Sequence, residues 1–175
     1  MYFSELFKYC PVCGSKQFLL NNEKSLKCAD CSFVLYVNPS SAVAAFVLNQ
    51  ARELLVCRRA KEPAMGTLDL PGGFVDANES AEMAVAREIK EELGAETVTL
   101  KYLFSLPNEY LYSGLTIPTL DMFYECSIAD YENILAADDV DECFYVPLAD
   151  LNPDDFGLQS IKKAVELYRN SFVVK

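Results

Sequence analysis

The chain has no histidine and no tryptophan among its 175 residues, and 26 acidic residues outnumber 15 basic ones, a net charge of −11. Without histidine, any catalytic proton must be taken by a carboxylate or a metal-bound hydroxide. The shortage of positive charge excludes non-specific binding to nucleic acid or to an anionic membrane, because neither partner would gain electrostatically. No apolar run approaches the length of a membrane span, and the opening MYFSELFKYC lacks a basic start followed by an apolar core. Together these absences predict a cytoplasmic protein with no membrane partner. In that setting its seven cysteines read as thiols or metal ligands and not as a disulfide framework. Internal repeats and low-complexity segments are absent too.

What is present is a globular composition, 51% apolar, with enough residues for one core and a small appendage. The appendage is residues 1–38. Cys10-Pro-Val-Cys13 and Cys28-Ala-Asp-Cys31 form two CxxC knuckles separated by a strand-like loop. Four thiolates at this spacing suit a closed, tetrahedral Zn site with no open position for catalysis. The segment resembles a zinc ribbon, and so small a unit depends on its metal for folding energy. Cys57, Cys126 and Cys143 lie singly in apolar stretches and read as core residues.

Residues 39–175 form the second domain, entered through Asn38-Pro39-Ser40-Ser41. Ala42 to Leu48 is a nearly continuous apolar run, suited to a strand buried on both faces. A turn over Asn49 to Arg52 returns the chain along Leu54 to Arg58. Arg58, Arg59 and Lys61 follow as basic candidates for substrate phosphates, against the plainer reading of a charged strand end. Thr97 to Ser105 and Thr119 to Ile128 read as strands, with a long loop from Leu106 to Pro118 between them. That loop carries Tyr110 and Tyr112, either of which would suit stacking on a base or packing onto the domain. Cys143 to Val146 is strand-like, Pro147 to Leu151 a short helical turn, and Leu158 to Tyr168 has helical spacing.

The stretch LPGGFVDANESAEMAVAREIKEELGA, residues 70 to 95, organises the rest. A Gly-rich loop leads into a helix that Asn78 or Ser80 can cap at its start and Gly94 at its end. Ala81, Val85, Ile89 and Leu93 recur every fourth residue as one apolar stripe. Beside it Glu88, Glu91 and Glu92 crowd one patch at i+3 and i+4 spacing, which destabilises a bare helix. A cation should sit among them, and hard oxygen ligands suit Mg or Mn. A solvated acidic face would explain the charges but not the preceding PGG loop or the Arg87-Glu88 pair.

Gly73, Glu79, Arg87-Glu88-Ile89, Glu91-Glu92 and Gly94 stand at the spacing of the Nudix box, and the chain resembles that family, with Ala95 in place of a larger aliphatic residue. The resemblance implies an α/β fold, the Nudix α/β/α sandwich with a mixed β-sheet, over roughly residues 40–171. It implies a hydrolase that cleaves the pyrophosphate bond of a nucleoside diphosphate linked to another moiety, using Mg or Mn. Glu88, Glu91, Glu92 and the Gly73 carbonyl would be metal ligands. Arg87 would orient a glutamate, with Glu79 its partner, and Glu142 would be a further ligand or the general base.

A zinc ribbon joined to this domain is similar to the NADH pyrophosphatase branch. That branch's NADH-selective element has only Ser105 and Pro107 matching here, and the missing tryptophan departs from it. Substrates like NADH, ADP-ribose or a nucleotide sugar therefore stay open, a capped RNA end is the one nucleic-acid partner left, and a homodimer is an analogy with the relatives. The rival readings are a nucleotide-sensing or zinc-ribbon interaction module without catalysis, and an isomerase or adenine glycosylase on the same fold.

Overall fold

The structure is a computed structural model that describes residues 6–173. The outermost residues of both expected domains, 1–5 and 174–175, lie outside the described residues.

Three short strands open the chain: β1 (Phe18–Asn22), β2 (Ser25–Cys28) and β3 (Val34–Tyr36), paired antiparallel in that order. Their apolar interior is small, with Phe18 and Leu26 buried beside Cys10 and Cys28 and backed by Phe7, Phe33 and Leu35. Such a core is too slight to hold a fold alone.

From β4 (Ser40–Val47) onward the chain builds two sheets. One is mixed and four-stranded, in the order β7 (Gly72–Phe74), β4, β9 (Leu115–Ile128), β8 (Thr97–Tyr112). Strand β4 runs parallel to β9 and antiparallel to β7. The other is antiparallel, β10 (Val140–Pro147), β5 (Glu53–Arg59), β6 (Leu68–Asp69). A bridge between Leu48 and Leu54 marks where β4 turns into β5.

The continuous apolar run of β4 reflects burial on both faces. Val43, Ala45 and Val47 join Leu55 and Cys57 of β5 against Ala84, Val85, Ile89 and Leu93 of helix α1 (Ala81–Leu93). The alternate residues Ala44 and Phe46, with Leu54, Val56 and Phe123, meet Ile161, Ala164, Val165 and Tyr168 of helix α2 (Gln159–Val173). Period-two alternation thus divides each central strand between two cores, one under each helix. Ring stacking of Phe46 on Tyr168, centroids 4.0 Å apart, fixes α2 on its side.

The expected loop from Leu106 to Pro118 is strand instead. β8 and β9 continue through it as one antiparallel hairpin that turns only at Ser113-Gly114. Both turn residues have positive φ, 50° and 78°, the geometry whose twist matches two flanking strands. Neither proline breaks the pairing. Pro107 sits on β8, the edge strand, where a missing N–H is tolerated, and Pro118 lies one residue before β9 begins to pair with β4 at Thr119. The chain from Leu148 to Asp150 is a hydrogen-bonded turn, and a short 3-10 turn, Pro153–Asp155, leads to α2. Among the described residues no helix is long and apolar enough to cross a membrane.

Candidate functional site

The four ribbon cysteines converge. Their sulfurs all lie within 4.8 Å of one another, with Cys10–Cys31 and Cys13–Cys28 at 3.6 Å. A tetrahedron of Zn–S bonds near 2.3 Å has edges of about 3.8 Å, so the donor set fits that ion. Local chain geometry builds this twice over. In the first knuckle Gly14 N–H bonds the Cys10 carbonyl and Cys10 N–H bonds Ser15; in the second, Ser32 bonds Cys28 and Cys28 bonds Phe33. Gly14 and Ser32 take positive φ at equivalent places, which turns each second thiol back towards the first.

The second site forms where α1 meets the Gly-rich loop. Ser80 caps the helix, its hydroxyl accepting from Met83 N–H at 3.3 Å, and Gly94 closes it at φ +65°. Glu88, Glu91 and Glu92 all line a cavity of about 340 Å³, as do Gly73 and Arg87. Glu92 is 6% exposed, and its carboxylate accepts Gly72 N–H at 2.9 Å. A Cβ on Gly73 would stand 2.3 Å from a Glu88 carboxylate oxygen, so the glycine lets β7 press against that glutamate without displacing its carboxylate.

Arg87 ties the patch together. Its guanidinium donates to both carboxylate oxygens of Glu79 at 3.0 Å, to Glu88 at 2.8 Å, to Glu91 at 2.9 Å and to the Phe74 carbonyl at 2.9 Å. One cation cannot neutralise this many acids. Burial pushes the Glu92 carboxyl up to about 9, with nearby Glu88 and Asp69 adding repulsion. Burial raises Glu88 too, against the opposing pull of Arg87. Raised carboxyls packed against a backbone loop are a donor set that a divalent cation fits, since it restores their charge.

A stability test follows from the sign of the Glu92 shift. A folded carboxyl at about 9 against an ordinary 4.5 holds its proton where the unfolded chain releases it. In metal-free protein this group's contribution is full below about pH 4.5 and is lost as pH rises to about 9. Thermal melts should therefore show Mg or Mn raising the melting temperature of wild type clearly near pH ~8 and little near pH ~5. An equal shift at both pH values would count against a cation on Glu92.

The same cavity is lined by Arg59, Asp69, Asn108, Tyr110, Thr119 and Asp121, with Asp69 near enough to Glu92 to repel its charge. Arg59 donates to the Asp69 carboxylate and to the Pro63 carbonyl, and reaches 3.5 Å from the Tyr110 hydroxyl. Tyr110 meets the half-exposed Phe74 edge to face at 5.4 Å. Asp121, buried, accepts from Thr119 and from Ser160 at the start of α2.

The three basic candidates all answer to acids. Arg58 bonds Glu142 at 2.6 Å and lines the cavity, Arg59 pairs with Asp69, and Lys61 pairs with Asp138 and Asp139. Glu142 stands at this ion pair and is not among the residues lining the cavity; Asp138 and Asp139 are. Tyr112, 59% exposed near the hairpin tip, is likewise outside the lining. Sequence reasoning singled out neither Phe74 nor the pairs Arg59–Asp69 and Asp138–Asp139 as wall residues. The alternating pattern of β8 and β9 was the available signal for Asn108, Thr119 and Asp121, and the prolines obscured it.

Comparison with known proteins agrees with this geometry. The NUDIX domain family model matches residues 38–167. The NAD-capped RNA hydrolase NudC of Vibrio vulnificus is 31% identical over 104 residues, 59% of this chain and 39% of that protein. The ADP-ribose pyrophosphatase of Methanocaldococcus jannaschii is 37% identical over 94 residues, 50% of this chain and 55% of that one. The chain thus spans less than half the length of the first relative. A crystal structure of a NUDIX hydrolase from Nitrosomonas europaea superposes with a TM-score of 0.70 at 22% identity, covering 93% of this chain and 90% of that one. A family match running from the end of the ribbon to within α2, over a box whose glutamates share one cavity, makes this chain a member of the Nudix hydrolase family.

Proposed function

We propose that the chain is an Mg- or Mn-dependent pyrophosphohydrolase acting on a nucleoside diphosphate joined to a second moiety, with residues 1–38 as a structural Zn ribbon and 39–175 as the hydrolase domain. The observation that carries this reading is one cavity lined both by Glu88, Glu91 and Glu92 and by Asn108 and Tyr110. The acids suit a diphosphate bridged by cations, and the polar and aromatic residues suit a nucleoside. The names of the two relatives, a NAD-capped RNA hydrolase and an ADP-ribose pyrophosphatase, support the same substrate class.

Divalent cations bound here would neutralise the diphosphate oxygens and make water a better nucleophile. The chain's part is to hold and aim them. Glu88, Glu91, Glu92 and the Gly73 carbonyl would hold them, with Arg87 fixing Glu88 and Glu91 and Gly72 N–H fixing Glu92. Proton acceptance falls to a carboxylate, since no histidine exists. Asp138 and Asp139 offer one on the cavity wall, and Glu142 offers one beside Arg58. The test is hydrolysis of NADH, ADP-ribose, nucleotide sugars and an NAD-capped RNA with and without Mg or Mn, with products identified. Release of a nucleoside monophosphate only with metal supports the proposal, and no cleavage of any of them by folded, zinc-loaded protein refutes it.

Tyr110 is assigned to the nucleoside. Stacking on a base is worth about 1–3 kcal/mol, so Tyr110→Ala should raise KM for the best substrate about 5- to 150-fold. Metal dependence and melting temperature should barely move, and Tyr112→Ala, outside the cavity, should behave as wild type. A loss of stability matching the loss of affinity in Tyr110→Ala would assign the ring to packing instead.

A further inference from the structure

We propose that Cys57 and Cys143 are a modification site, a dithiol that closes to a reversible disulfide under hydroperoxides and thereby regulates the neighbouring cavity. Cys57 on β5 lies directly opposite Cys143 on β10, and their sulfurs are 3.5 Å apart. Directly opposed residues of an antiparallel pair hold their Cα atoms about 4.5–5.5 Å apart, inside the range a disulfide spans. Closing the bond therefore asks for side-chain rotation and no change of register. The remaining thiols are placed otherwise: four share the ribbon cluster, and Cys126 faces Thr97 and Ser127.

Burial alone would make such a pair inert, but Cys57 is on the cavity wall, which gives a small oxidant a route to it. Hydrogen peroxide converts one thiol to a sulfenic acid with release of water. The second sulfur then displaces the new hydroxyl as a second water, forming the S–S bond. Two thiols thus lose two protons and two electrons, and hydrogen peroxide leaves as two waters. A phosphine or external thiol reverses the step.

The bond's position gives it consequence. Arg58 follows Cys57, Glu142 precedes Cys143, and the two are ion-paired at the adjoining register position. Asp138 and Asp139 of the cavity wall come a few residues earlier, before the irregularity between Val140 and Glu142. Tying β10 to β5 at Cys143 holds this whole side of the cavity in one arrangement. This regulatory half rests on the pyrophosphohydrolase reading, whereas the bond itself does not.

The experiment treats the zinc-loaded protein with hydrogen peroxide and maps non-reduced peptides by mass. Cys57 and Cys143 peptides should appear joined and two hydrogens lighter than their sum, and separate again on reduction. In Cys143→Ser the oxidised Cys57 should instead be captured by dimedone. Both thiols still open to alkylation after treatment, or linked equally to other cysteines, overturns the site. Turnover of the cross-linked protein should fall several-fold and recover with reductant, and Cys57→Ser should be insensitive to peroxide. Unchanged turnover on full cross-linking overturns the regulatory half. A protein inactive before oxidation refutes the hydrolase reading and the regulatory half with it, while the mapped bond stands or falls separately.

Discussion

Glu92→Gln should yield a folded protein that turns over at least ~100-fold more slowly than wild type, the scale of losing one electrostatic stabiliser at a reacting centre. Glu92 is the most buried of the three box glutamates, and the hydrogen bond it accepts from Gly72 N–H leaves the rest of its carboxylate for a cation. A glutamine keeps the shape and can still accept from Gly72, but it cannot supply the charge. Folding should not suffer. Metal-free Glu92 is held protonated by its burial, so glutamine replaces a neutral acid with a neutral amide. The melting temperature without metal should be equal or higher in the variant near neutral pH, and the pH-dependent gain from Mg or Mn should shrink. Glu91→Gln is the companion case. Glu91 is half exposed and bonded to Arg87, so its loss should lower turnover on the same scale with still less effect on the fold. Near wild-type turnover in both variants would remove the metal assignment from this patch.

The zinc site carries the other large effect. Purified under reducing conditions, the chain should hold close to one Zn per molecule, and Cys28→Ser should release it and unfold mainly residues 1–38. The reason is the size of the ribbon core. Phe18 and Leu26 are the large buried side chains that share it with Cys10 and Cys28, so removing one thiolate takes away both a ligand and part of the packing. Binding free energies of structural Zn in comparable small units run to about 10–16 kcal/mol, far above what so few apolar residues can provide. Metal analysis finding no Zn, or a Cys28→Ser protein with unaltered amide-exchange protection across β1 to β3, would refute this. Melting of the hydrolase domain should be nearly unchanged, because its two cores draw on residues from Val43 onward.

How much of this was readable beforehand depends on whether the information was local. The cysteine knuckles were, because a CxxC pair and the left-handed residue after it set their own geometry within a few residues. The helix was, because Ser80, the Val85–Ile89–Leu93 stripe and Gly94 each act over one turn. The double burial of β4 was, since an unbroken apolar run can satisfy itself only between two layers. The acidic patch followed from helical spacing alone.

Everything that needed one part of the chain to meet a distant part was decided by tertiary structure. Prolines and glycine between Leu106 and Pro118 read as a loop, and pairing with an edge and a late-starting neighbour made them strand. The assembly of Arg59 with Asp69 and Tyr110 joins β5 and β6 to the distant β8. The placement of Asp138 and Asp139 on the cavity wall, with Glu142 turned to Arg58, depends on an irregularity in the β10–β5 register. Regular strand pairing brings Cys57 to Cys143, two residues 86 positions apart that look like isolated core thiols until β5 and β10 lie side by side. By itself the sequence determined the elements whose interactions close within a turn or a knuckle, such as α1 and the two cysteine knuckles. Which side chains face one another across the cavity was left to strand register, because a slip of one residue sends every side chain of a strand to its opposite face.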